Sequence, residues 1–163
     1  MQFFNYNREA VKAYALLWAD KRNPKYYDFE KIGGDCTNFA SQCIYAGSNV
    51  MNYDYINGWY YTSQYSRSPS WTAVELLSKF LLRKEETVGP KAKICALKDL
   101  EIGDIVQIKT NGVYTHSLIV TKIDGETVFD IFVCAHSYDA KNRRLSTYNL
   151  TEAKFLKIYG VFK

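Results

Sequence analysis

The chain has 163 residues, 47% of them apolar and 23% charged, which is ample for one packed core and too apolar for a disordered chain. Its 21 basic and 17 acidic side chains give a net charge of +4 and are scattered, so no basic stripe or motif points to nucleic acid. No segment is long and apolar enough to span a membrane, and four cysteines without metal-type spacing beside two histidines leave no convincing zinc site.

The opening Met1-Gln2-Phe3-Phe4-Asn5-Tyr6-Asn7 has neither the basic region nor the apolar run of a signal peptide, so a soluble chain is expected. A first helix is predicted from about Arg8 to Lys21, capped by Asn7 and stopped by Asn23-Pro24, with Val11, Tyr14, Ala15 and Trp18 as its apolar face. An aromatic loop over Lys25 to Lys31 follows. Tyr27 there is a candidate for a side chain delivered to a site, or else a loop-packing tyrosine.

The central stretch is Gly33-Gly34-Asp35-Cys36-Thr37-Asn38-Phe39-Ala40-Ser41-Gln42-Cys43. Two glycines make a turn, Asp35 stands at a helix N-cap, and Cys36 is the first residue of a helix expected to run to about Ala46. A thiol in a first helical turn feels the positive end of the macrodipole, and cysteines so placed can have pKa values lowered to roughly 3.5–7.5. The free amides of that turn, Cys36's own among them, can hold an oxyanion. Cys36 is therefore a candidate nucleophile. Cys43, Cys95 and Cys134 read as small buried apolar residues.

Asn49 to Ser68 is rich in Tyr, Asn and Trp, with a turn at Asn57-Gly58; Trp59, Tyr60 and Tyr61, with Trp71 beyond, are candidates for the wall of a substrate groove. Ser68-Pro69 opens a helix expected through about Arg83, and Lys84 to Lys93 reads as a charged loop. From Leu97 the pattern changes to strands: Ile105 to Ile108, a hairpin turn at Asn111-Gly112, Tyr114 to Ile123, a second turn at Asp124-Gly125, Val128 to His136, and Lys154 to Phe162. The expected architecture is α+β, with a helical half over about 1–84 and an antiparallel half over about 97–163 of one domain. The second hairpin brings His116 and His136 to one end of the sheet. A cysteine nucleophile needs a base and a group that orients it. His116 is the candidate base and His136 the candidate orienting residue, with Asp139 or Asn142 as alternatives.

These motifs carry a resemblance. Gly33 to Cys43, Gly58-Trp59-Tyr60-Tyr61, Ser68-Pro69-Ser70-Trp71, Gly103-Asp104-Ile105-Val106, His116 to Val120 and Ala135 to Asp139 resemble, in order, the putative amidase domain of Gram-positive bacteria and their phages. That family is grouped with the papain-like, NlpC-type cysteine amidohydrolases. The resemblance implies a cysteine-bearing helix on an antiparallel sheet, with Cys36 as nucleophile, His116 as base and His136 at the third position. It implies hydrolysis of an amide in peptidoglycan or another peptide, no cofactor, and no nucleic-acid or membrane partner. A monomer is the default. Protein deamidation or acyl transfer on the same fold, and a non-catalytic wall-binding module, are the alternatives.

Overall fold

The structure is a computed structural model that describes all 163 residues. After a two-residue strand β1 (Phe3–Phe4), helix α1 (Arg8–Trp18) begins where Asn7 Oδ1 accepts from the Ala10 amide at 3.0 Å. Its buried Val11 and Ala15 face α2 (Cys36–Ser48). Gly47 is what lets the two helices meet: a Cβ there would lie 2.4 Å from Val11 Cγ2 and 2.9 Å from the Asn7 carbonyl oxygen.

Helix α2 is buried at nearly every position, including the polar Thr37, Asn38, Ser41 and Gln42. Burying such groups is tolerable only when each has a partner. Trp71 Nε1 donates to Asn38 Oδ1 (2.9 Å), Trp59 Nε1 to Ser41 Oγ (3.0 Å) and the Tyr14 hydroxyl to Gln42 Oε1 (2.7 Å). The two tryptophans thus pack against the helix and also satisfy it.

A small hairpin of β2 (Tyr61–Ser63) and β3 (Ser66–Arg67) leads to α3 (Pro69–Thr72) and α4 (Val74–Leu81). The single helix expected from Pro69 to Arg83 is broken at Ala73, whose backbone is extended (φ −109°, ψ 128°). The Trp71 carbonyl accepts from Ser41 Oγ at 2.9 Å, a tertiary bond that the sequence pattern does not reveal.

Strands β4 (Gly89–Cys95), β5 (Ile105–Thr110), β6 (Val113–Ile123), β7 (Ile131–Ala135), β8 (Ala140–Arg144) and β9 (Ala153–Phe162) join β1 in one antiparallel, seven-stranded sheet. β9 is central to one end: β4 lies along one edge of it, and β5 and β1 along the other. The α+β class is as expected. β4 and β8 were not. β4 begins within the stretch read as a charged loop, where Lys91 hides its charge by donating to the Lys84 and Glu85 carbonyls. β8 is a polar edge strand exposed at all but Ala140, so it carries no apolar alternation.

One face of the sheet, with Ile105, Ile119, Cys134 and Leu156, packs under the helices. The opposite face, with Val106, Leu118, Val120 and Val133, forms a second core that includes Leu145.

Candidate functional site

Gly33 and Gly34 adopt φ of +86° and +98°, backbone angles that glycine reaches without steric cost, and turn the chain into α2. Cys36 is its first residue, 7% exposed. The thiol lies 3.7 Å from Thr37 Oγ1 and 3.8 Å from the carbonyl oxygen of Thr115, to which it donates. The sulfur is therefore held against the main chain next to His116. β7 pairs with β6 only from Ile119 (opposite Cys134), so this stretch of β6 is a free edge.

The electrostatics differ from a ready-made ion pair. Burial pushes the Cys36 thiol up, and the amides of Ser117 and Thr37 with the Thr37 hydroxyl offset only part of that. His116 is lowered from 6.5 to about 4, first by burial and then by the nearby Arg143 guanidinium. Both effects favour an uncharged thiol and an uncharged imidazole at neutral pH.

Both histidines do come to one end of the sheet, but on opposite faces. His116 lies directly across from Ile108 and beside Tyr148 (ring centroids 6.1 Å), on the face of the second core. His136 stacks on Phe39 of α2 at 4.0 Å. The register explains it. Ile119 pairs with Cys134, so residue 137 rather than His136 falls across from His116, and neighbours in a strand point to opposite faces. No hydrogen bond joins His116 to Cys36 or to His136.

His136 is fully committed elsewhere. Its Nδ1 meets Asp35 Oδ2 at 2.6 Å and its Nε2 meets the Trp18 carbonyl oxygen at 2.8 Å. Its reading as the group that orients His116 is corrected by this geometry: both nitrogens are taken, and what it orients is Asp35. Asp139 is held by both terminal nitrogens of Arg22 (2.8 and 3.0 Å), and Asn142 accepts from the Thr121 hydroxyl (2.7 Å). Neither reaches His116.

The groove residues are sorted by burial. Trp59 and Trp71 are 0% exposed and Tyr61 is 8% exposed, so these three are core residues rather than a substrate wall. Their spacing reads as aromatic loop because the helix they cover lies elsewhere in the sequence. Tyr60 is half-buried beside Tyr53. Tyr27 is half-buried next to the site, its carbonyl accepting from Asn38 Nδ2 at 2.9 Å. A surface cavity of about 850 Å³, lined by Met51, Tyr53, Ile56, Phe80 and Arg83 among others, does not include Cys36 or His116.

Sequence reasoning missed Arg22, Ser137 and Tyr148. Ser137 Oγ accepts from the Asp35 amide at 2.9 Å, so the turn after β7 clasps the Gly-Gly-Asp-Cys turn directly. The recurrence of a His-Ser pair, His116-Ser117 within β6 and His136-Ser137 just after β7, was the available signal. For Arg22, just past the end of α1, there was none.

A family model described as "Putative amidase domain" matches residues 5–159. The chain belongs to that family. A similar relative is the uncharacterized protein YhbB of Bacillus subtilis (strain 168), 31% identical over 145 residues. The match covers 86% of this chain and 44% of the relative, so this amidase-domain chain spans under half of that protein's length. No solved structure matches.

Proposed function

We propose that this chain is a cysteine amidohydrolase of papain-like, NlpC-type construction that cleaves an amide through a thioester, in the peptide or sugar–peptide linkages of bacterial cell wall. The observation that carries the reading is the place of Cys36 in a chain of the amidase-domain family. It opens α2, and its sulfur lies at the free edge of β6 beside the main chain of His116.

In this reading a twist of the unpaired edge of β6 turns His116 toward Cys36, and its imidazole takes the thiol proton as Sγ attacks the carbonyl carbon. The S–C bond forms, and the carbonyl π pair moves onto oxygen, held by the Cys36 amide and a first-turn neighbour. The C–N bond then breaks as His116 returns the proton to the departing amine. Water attacks the thioester, gives a proton to His116, and the S–C bond opens to acid and thiol. Tyr27 and Tyr60 are the remaining aromatic candidates for substrate contact.

Incubation with purified peptidoglycan, followed by mass analysis of the released termini, tests the proposal. New amine and carboxyl termini are expected from the native chain. Cys36→Ala is expected to release none while unfolding at nearly the same temperature. Turnover retained in that variant overturns the mechanism.

A further inference from the structure

The helix that presents Cys36 has an aspartate at its N-cap that does not cap. An aspartate there ordinarily accepts from the amides two and three residues on. Asp35 makes no such bond. Its Oδ1 accepts instead from the Phe29 amide (2.9 Å) and from Asn38 Nδ2 (2.9 Å), and its Oδ2 from His136 Nδ1 (2.6 Å). Arg22 Nε stands 3.7 Å from Oδ2, and the same guanidinium grips Asp139, Asp28 and Glu30. The main-chain amides of Cys36, Thr37 and Asn38 have no oxygen partner, backbone or side-chain.

We propose that His136 and Arg22 are positioning residues that hold the Asp35 carboxylate off the start of α2, keeping the first-turn amides open for the oxyanion formed at Cys36. The inference rests on the amidohydrolase reading above. His136 is suited to the task because it cannot move: it is 1% exposed, stacked on Phe39, and fixed at Nε2 by the Trp18 carbonyl. Arg22 is suited because, although burial works against its charge, the Asp139 and Asp28 carboxylates hold it firmly protonated. Released from both, and with its backbone turned from ψ 3° into the extended region that a cap uses, Asp35 brings Oδ2 onto the first-turn amides. Its oxygen then occupies the donors and sets a negative charge beside the sulfur.

Two substitutions at one position separate this role from a merely structural one. Asp35→Ser supplies a short hydroxyl that caps the helix and cannot reach His136. Asp35→Gly supplies nothing, and the two cap residues differ in helix stability by only a few tenths of a kcal/mol. Because loss of one oxyanion donor costs about 10²–10³ in kcat, the Gly variant is expected to exceed the Ser variant at least about tenfold in kcat, with KM alike. Equal rates, or a faster Ser variant, overturn the proposal. An NMR readout needs no turnover: the Thr37 and Asn38 amide protons shift downfield in Asp35→Ser and in His136→Leu, and stay put in Asp35→Gly. Where His136→Leu does not fold, Arg22→Gln takes its place. Unmoved amide protons in Asp35→Ser and in the folded partner variant also overturn it. If the native chain releases nothing from any amide substrate while the amide protons shift as stated, the amidohydrolase reading and the oxyanion role fail, and only the holding of Asp35 off the start of α2 by His136 and Arg22 stands.

Discussion

Cys36 and His116 are both uncharged in the resting chain for the same reason, desolvation, and each makes a measurable prediction. The Cys36 thiol sits above the ordinary thiol range, so its alkylation by iodoacetamide should be slow at pH 5–6 and climb only in alkaline solution. Peptide mapping of the modified cysteine reads this directly, and fast labelling in acid would point to an ion pair the structure does not contain. For His116 the folded value of about 4 lies below the ordinary 6.5. Above pH 6.5 both folded and unfolded chains carry it neutral. Between 6.5 and about 4 the unfolded chain binds the proton first, so stability falls as pH drops through this window, by no more than about 3 kcal/mol. Chemical denaturation at several pH values should show that slope, and His116→Gln should flatten it.

Helix α2 is the element on which site and core coincide. Its Asn38 and Ser41 face tryptophans and its N-terminus faces the turn after β7, so substitutions in quite different parts of the chain should act on it. Gly34→Ala places a Cβ 3.1 Å from Ser137 Oγ at a φ of +98°, and a cost of about 1–2 kcal/mol is expected from the backbone alone. Trp71→Ala should cost about 3–5 kcal/mol, because it empties a buried site and strands the Asn38 carboxamide oxygen. Denaturant midpoints measure both. A Trp71→Ala variant of native stability would mean that the aromatic cluster is not the support described here.

The two faces of the sheet bind the molecule into one unit. Helices cover one face, and the second core closes the other around strands that also carry the site. β9, the last element, pairs with β1, β4 and β5, so it ties the first residues to the middle of the chain. Removal of residues from Ala153 onward should therefore abolish cooperative unfolding, even though every residue of the proposed site remains. A sharp transition in that truncated chain, followed by circular dichroism, would contradict this.

Periodicity and turn chemistry made much of this legible before any fold was known. The capped first helix, the glycine turn into the cysteine helix, the Asn111-Gly112 hairpin and the α+β order all depend on neighbours within a few residues. Features that depend on distant partners were hidden. Ser41 helps to break a helix thirty residues away, Lys91 hides its charge on two carbonyls, and Trp59 and Trp71 leave the surface because polar groups of α2 need donors. The same holds at the site. Cys36 could be singled out from the residues around it, whereas the faces of His116 and His136 follow from a strand register set by a loop and a bulge between them. That His136 serves Asp35 emerges only when two turns a hundred residues apart are clasped together, since a hydrogen bond depends on where the chain brings its partners and not on their order along it.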